Sequence, residues 1–222
     1  MKNLFNYDGA VFQFLMKFCS ACGLGLMWTI CSLPLFTIGA STTALYAVSI
    51  KLVRGTEGTS IVRQFLHAFR TNFRQATQLW LILFGAGAFL AADCYILYHL
   101  RQSSAGTAAV VWTLLFAVVL AAVVLYSIVF TFLFPMLAYF DNDNRSMLRN
   151  SFFVGARYLF CTIAVFGIHA AFLYVTINLF APLLLFGEGL SAWASSYLLS
   201  NVLLAVSGEK RGAETEDSGD EP

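Results

Sequence analysis

Two ionisable residues lie within long apolar stretches of this chain, where their side chains could carry chemistry. Asp93 lies in the stretch 78–98, and His169 lies near the middle of the stretch 158–180. A charged side chain at the centre of a bilayer costs roughly 2.5–3.5 kcal/mol on insertion scales, so such residues are functional candidates by default. An imidazole at that depth could relay protons or gate a pathway.

Each of the two residues also has a purely structural interpretation. Asp93 precedes His99 by six residues, which places it about 9 Å from the outer end of a helix, within reach of interfacial water. His169 could form one hydrogen bond to a neighbouring helix and remain neutral. Nothing in the sequence requires the two side chains to lie at the same depth, so they are not interpreted as a pair.

Other reactive residue types do not form a recognisable constellation. Cys19 and Cys22 form a C-x-x-C pair, but no thioredoxin-like pattern follows, and a zinc site would need about two more ligands. The loop 141–150, DNDNRSMLRN, lacks the glycine and the terminal glutamate of a calcium loop; Asp143 or Asn144 is expected instead to cap a helix that begins near Arg145.

An embedded enzyme would need ionisable groups clustered at one leaflet. Asp93, His99 and Glu188, the last expected in an outer loop, are the residues predicted on that side. No phosphate-binding loop, dinucleotide fingerprint, zinc protease motif or nucleophile elbow is present. We therefore expect no catalytic activity, no cofactor and no metal.

The composition indicates the environment that must position these residues. Of the 222 residues, 59% are hydrophobic and only 11% are charged, whereas a soluble domain has about 45–50% and 25%. A soluble fold of this size could not cover so much apolar surface. The net charge of +1 gives no reason to expect a nucleic acid partner. The sequence predicts an all-α, multi-spanning transmembrane helix bundle in the cell membrane, with the lipid bilayer as its solvent.

Apolar stretches of roughly 20 residues mark the helices that could cross the bilayer. A single transmembrane domain over 1–207 is predicted, followed by a disordered acidic tail at 208–222. The last stretch is short and rich in serine, so a count of four remains an alternative to five. The five predicted spans are 18–38, 78–98, 107–134, 158–180 and 190–207.

The distribution of basic residues orients the predicted spans, because Lys and Arg accumulate in cytoplasmic loops. Only Lys2, Lys17 and Arg101 remain for the opposite side, so five spans predict an outside N-terminus and a cytoplasmic C-terminus. The basic residues that share the cytoplasmic side are Lys51, Arg54, Arg63, Arg70, Arg74, Arg145, Arg149, Arg157, Lys210 and Arg211.

Residues 60–76 predict a basic amphipathic helix on the cytoplasmic side. Arg63, His67, Arg70 and Arg74 recur at spacings of one helical turn, so they share a face. The opposite face carries Val62, Phe65, Leu66, Phe69 and Phe73. Such a helix could contact an anionic leaflet or a partner, or it could pack under the bundle with its basic face solvated; both interpretations can hold together.

The segment 37–55 holds a cluster of small residues, GASTTA at 39–44. Small residues let membrane helices approach closely, so the cluster could form a packing seam or a polar lining. A tight turn followed by a helix is the structural interpretation, and we favour it.

Several stretches together resemble the bacterial YesL family, a domain of unknown function. The most specific is SLPLFTIGASTTALY at 32–46; FNYDG near the start, KLVRG at 51–55 and FPMLAYFDNDNRSMLRNSFF at 134–153 also contribute. The resemblance covers the chain apart from the acidic tail. It implies a small multi-spanning membrane protein whose genes often lie beside those for carbohydrate uptake and breakdown. It implies no catalytic or binding residues.

Two functional hypotheses follow. The first is an accessory or regulatory component of carbohydrate uptake or utilisation, in contact with a sugar transport or sensing complex. The alternative is a small transporter or channel that acts as an oligomer, with a mid-membrane pathway lined by Ser, Thr, Asn178 and His169.

Overall fold

The computed structural model describes residues 10–56, 60–178 and 183–217, and within them the chain is helical with no strand. This confirms the predicted all-α, multi-spanning fold. A short 3-10 turn at Leu35–Thr37 precedes the second helix. The helices are α1 (Ala10–Cys31), α2 (Ile38–Arg54), α3 (Ile61–Ser103), α4 (Thr107–Leu137), α5 (Asn144–Arg157), α6 (Leu159–Asn178) and α7 (Leu183–Asp217).

Six of these helices, all except α5, contain a segment long and apolar enough to cross a membrane. The sequence predicted five spans, and the additional one is Leu35–Arg54, which contains α2. The segment had been interpreted as a turn followed by a helix, and the structure has both. The span was not predicted because the segment contains several hydroxyl residues. These are compatible with a membrane, because Ser41 donates to the carbonyl of Thr37 and Thr43 donates to that of Gly39.

Two further boundaries differ from those predicted. The basic segment 60–76 is not a separate helix, because α3 continues without interruption from Ile61 into the predicted span 78–98. Ser60 caps its start by accepting a hydrogen bond from the amide of Arg63 at 3.4 Å. The first span was predicted over 18–38, but α1 ends at Cys31 and Pro34 lies in the turn that leads to α2.

Two helices form the centre of the bundle. In the apolar segment that contains α2, 67% of the residues are buried, and in that of α7 the share is 61%. In each of the other four spanning helices the share is 17% or less. Gly189 of α7 lies against the backbone of Ala21 and Gly25 in α1, so a side chain at this position would collide with that backbone. Gly39 of α2 lies equally close to Ala76 of α3. Small residues thus set the distances between the central helices and their neighbours.

Helices α3 and α4 form a long antiparallel hairpin. Gly106, with a φ of 64°, makes the turn between them. The hydroxyl of Tyr126 donates to the carbonyl of Leu83 at 3.1 Å and lies beside Gly87, which ties the two helices together.

The backbone of α7 continues as a helix to Asp217, and residues 218–222 lie outside the described residues. Disorder of the acidic tail at 208–222 stays a prediction from composition.

Candidate functional site

A partly open cavity of about 340 Å³ lies between six helices: α1, α2, α3, α4, α6 and α7. The side chains of Phe130, Phe166 and Leu173 line it and are also exposed at the surface of the bundle. Its wall is mainly aromatic and aliphatic. The aromatic residues that line it are Trp28, Tyr46, Trp80, Phe130, Phe134 and Phe166. Of the lining residues that the structure describes, three carry ionisable side chains, namely Tyr46, His169 and Glu188. The cavity is therefore an apolar site with few polar groups, which is the usual character of a small-molecule site.

His169 takes part in a hydrogen-bonded pair within this cavity. Its Nε2 atom lies 3.2 Å from the hydroxyl oxygen of Tyr46, and its Nδ1 atom lies 2.9 Å from the carbonyl oxygen of Val165. When Nδ1–H donates to Val165, Nε2 accepts the proton of the Tyr46 hydroxyl. Both ring nitrogens are then satisfied in a neutral imidazole.

Glu188 also lines the cavity, which corrects its expected position in an outer loop. The residue lies in the second turn of α7 and is half-buried. The glycines on both sides of it suggested a loop, but Gly189 is instead required for the close contact between α1 and α7. The described lining residues include no lysine or arginine, and the basic side chain that shares the cavity wall with Glu188 is that of His169.

Asp93, by contrast, lies away from this cavity. It is half-buried in the second half of α3, and it is not among the lining residues. The ring of His99, near the end of the same helix, contacts that of Tyr95 with centroids 4.5 Å apart. The structure therefore does not bring Asp93 and His169 together, nor does it group Asp93, His99 and Glu188.

The basic face of α3, which we define as Arg63, His67, Arg70 and Arg74, is exposed at all four positions. The aromatic side of the same segment packs inward: Phe65 is fully buried, and Phe69 and Phe73 pack against the core. Val62 and Leu66, predicted on the apolar face, are exposed. The segment is therefore anchored by its aromatic residues while its charges remain accessible.

Arg54 ties the C-terminal end of α2 to two other parts of the bundle. Its guanidinium donates to the hydroxyl of Tyr139 at 3.3 Å and to the carbonyl oxygen of Ser200 at 3.2 Å. It also lies 4.9 Å above the ring of Tyr139. This arrangement uses the planar shape of arginine, which lysine does not share.

The remaining candidates give simpler results. Cys19 and Cys22 are free thiols, and the described residues contain no group of three side chains suited to a metal ion. Asp143 caps α5 by accepting from the amide of Ser146 at 3.3 Å, as predicted. The hydrogen bond from Ser146 lowers the pKa of the Asp143 carboxyl.

Most of the polar side chains suggested as the lining of a transport pathway donate hydrogen bonds to carbonyls of their own helices. Asn178 donates to the carbonyl of Tyr174 and does not line the cavity. Ser195 and Ser196 donate to carbonyls of α7 itself. Of the residue types named for that pathway, Thr42, Thr131 and His169 lie in the cavity wall, and Thr131 donates to the carbonyl of Ser127 within α4.

Comparisons with known proteins find relatives whose function is also unknown. Residues 21–94 match a family model described as a protein of unknown function, DUF624. The chain is 24% identical over 202 residues to the uncharacterized protein YteU of Bacillus subtilis (strain 168), which covers 91% of this chain and 86% of the relative. It is 28% identical over 131 residues to the uncharacterized protein YesL of the same organism, which covers 59% and 58%. No solved structure matches. These matches confirm the resemblance found in the sequence, and they carry no activity.

Proposed function

We propose, on the premise that the chain is a YesL-like membrane protein, that it is an accessory or regulatory component of carbohydrate uptake or utilisation. In this role it contacts a sugar transport or sensing complex and needs no catalysis, cofactor or nucleic acid. The link to carbohydrate rests on the family resemblance drawn from the sequence. The contact itself is assigned to the basic face of α3.

The exposure of the basic face is the observation that carries this proposal. Four basic or titratable side chains stay in solvent along three turns of one helix, while Phe65 holds the same segment in the core. A rigid, positively charged surface of this kind suits an acidic partner or an anionic leaflet. Because the helix is anchored, little conformational entropy is lost when the surface binds.

The proposed orientation places this face in the cytoplasm. Six crossings put both termini on the same side, which replaces the outside N-terminus inferred from five spans. Among the described residues, every lysine and arginine except Arg101 then lies toward the cytoplasmic side, including Lys17 near the start of α1. This distribution follows the positive-inside rule more closely than the five-span arrangement does.

Cross-linking in the native host during growth on inducing sugars tests the proposal. The double variant Arg70→Gln/Arg74→Gln removes two exposed charges from the basic face. The double variant Arg145→Gln/Arg149→Gln is the matched control, because it removes two exposed charges with the same spacing from α5. We expect a transporter or sensor component to be recovered with the native chain and the control, and to be lost with the α3 variant.

Two results would contradict the proposal. Recovery of no transport or sensing component under any sugar would remove the accessory role. Equal recovery with both double variants would remove the basic face as the contact surface.

The cavity favours a second candidate function, that of a small transporter or channel acting as an oligomer. Its support is a partly open space that contains His169 between six helices. Uptake of labelled sugars into liposomes that contain the purified protein tests it. No uptake above that of empty liposomes would exclude it, and unchanged uptake after His169→Ala would remove His169 from the pathway.

A further inference from the structure

We infer that the cavity binds an amphiphilic organic cation, with the ammonium group against Glu188 and the hydrocarbon part between the aromatic side chains. The inference does not depend on the accessory role, because it concerns this cavity and not the basic face of α3.

The charge of the site is the first argument. Glu188 brings a carboxylate to a wall whose described residues include no lysine or arginine. Val165 and Tyr46 occupy both ring nitrogens of His169, so the imidazole has no nitrogen left to form a hydrogen bond with Glu188. A carboxylate in a mainly apolar environment is stabilised by a nearby positive charge, and a cationic ligand would supply one.

The aromatic wall is the second argument. Trp28, Trp80 and Phe166 come from three different helices to the same space, and Phe130 and Phe134 lie next to Trp80 with ring centroids 6.3 Å from its own. The negative faces of aromatic rings attract ammonium groups, most strongly where water is excluded. Their edges and the aliphatic residues suit a hydrocarbon body.

The hydrogen-bonding capacity of the wall is the third argument, because it offers few free donors to an anionic group. The indole N–H of Trp28 donates to Thr42, and that of Trp80 donates to the carbonyl of Leu35. The hydroxyl of Thr131 donates to the carbonyl of Ser127. These donors are already bound within the protein, whereas the carboxylate of Glu188 can accept. A ligand that donates hydrogen bonds or carries positive charge therefore fits best.

Binding of benzyltrimethylammonium to the purified protein tests the inference. The full chain is held in dodecyl maltoside, an uncharged detergent with no ammonium group, and binding is followed by calorimetry and tryptophan fluorescence. Neopentylbenzene is the matched neutral probe, since a tert-butyl group replaces the trimethylammonium group with nearly the same shape. We expect saturable binding of the cation, and binding of the neutral probe weaker by about tenfold or more.

Two variants locate the site. Glu188→Gln keeps the size of the side chain and removes the charge, so the dissociation constant for the cation should rise about tenfold. Asp93→Asn removes a half-buried acid from the same bundle but outside the cavity, and it should leave the constant unchanged.

The inference is overturned if the cation does not bind, if the neutral probe binds equally well, or if Glu188→Gln leaves the constant unchanged. Where Glu188→Gln does not fold, the comparison of the two probes on the native chain decides alone.

Both a lipid headgroup and a soluble amine offer this chemistry, and added lipid distinguishes them. If phosphatidylethanolamine raises the apparent dissociation constant of the probe and phosphatidylglycerol does not, the occupant is a headgroup ammonium. An unchanged constant with both lipids identifies a soluble amine.

Discussion

Tyr46 and His169 are separated by 123 positions in the chain, yet the hydroxyl oxygen of one lies 3.2 Å from Nε2 of the other. This contact joins the central helix α2 to the lipid-facing helix α6 at the wall of the cavity. It occupies Nε2 of His169 in the same cavity wall that Glu188 lines.

Tyr46→Phe tests the energetic contribution of that contact. The change removes the hydroxyl and leaves Nε2 of His169 without this partner, so we expect the free energy of unfolding to fall by roughly 1 kcal/mol. Unfolding by SDS in mixed micelles measures the difference. Tyr174→Phe is the control, because Tyr174 lies on the same helix α6 and is 66% exposed. Equal effects of the two changes would contradict a specific role for the pair.

Gly189→Ala tests the close contact between α1 and α7. The added methyl group would meet the backbone of Ala21 and Gly25, which cannot move aside as a side chain can. We expect a loss of about 1–3 kcal/mol in the free energy of unfolding, typical of overpacking. Gly167→Ala is the matched control, since nothing lies within 4 Å of its added methyl group. A Gly167→Ala variant that is destabilised as strongly would argue against the packing explanation.

Arg54→Gln tests the link from α2 to the segment after α4 and to α7. The variant loses the hydrogen bonds to Tyr139 and Ser200, so we expect a decrease of about 1–3 kcal/mol in the free energy of unfolding. Lys51→Gln removes the same charge from the same final turn of α2, but its side chain is exposed. If the two variants unfold at the same SDS fraction, the stabilisation comes from the charge near the helix end and not from the contacts.

Asp143 gives a prediction about pH. Its pKa is lowered by the hydrogen bond from Ser146, so its contribution to stability is fully present above the ordinary aspartate pKa of about 3.9. That contribution is lost as the pH falls through the lowered pKa of the folded state. We expect Asp143→Ala to unfold more readily than the native chain at pH 7, and the difference to shrink in acid.

Thermal unfolding from pH 7 to about pH 3 measures this difference. Asp141→Ala serves as the control, because it removes a charge from an exposed residue of the same loop. A difference for Asp143→Ala that stays constant down to acid pH would contradict capping by the ionised carboxylate.

Cysteine labelling in intact cells tests the proposed six crossings. In a background without the native cysteines, Ser104→Cys between α3 and α4 should react with an impermeant maleimide from outside. Thr56→Cys and Val11→Cys should react only after the membrane is permeabilised. Reaction of Val11→Cys in intact cells would restore the five-span topology with an outside N-terminus.

The sequence predicted the helices that consist almost wholly of apolar residues. The predicted span 107–134 corresponds to the helix Thr107–Leu137, and the predicted span 158–180 corresponds to the helix Leu159–Asn178. Composition alone is decisive there, because the helix must satisfy its own backbone in lipid. The continuity of α3 could also have been predicted, since residues 60–84 contain neither glycine nor proline.

The cavity was harder to predict, because its members are distant in sequence and ordinary in local context. His169 was identified since an ionisable residue in an apolar stretch is conspicuous. Tyr46 resembles any aromatic residue of a buried helix, and Glu188 was assigned to a loop by its glycine neighbours. The helical position of Glu188 could have been predicted from the small residues that follow it at helical spacing, which indicate a helix packed closely on others. These residues are Ser191, Ala192, Ser195 and Ser196.

The hydroxyl groups of α2 and α7 have a consequence for how the protein is made. Ser41, Thr43, Ser195 and Ser196 each donate to the carbonyl four residues earlier in the same helix. These protons are therefore bound before any second helix arrives. During biosynthesis the insertion machinery would meet two segments less polar than their residue types suggest, and each could enter lipid alone. Assembly of the bundle can then follow as a separate docking step, in which none of these four hydroxyls has to exchange its partner.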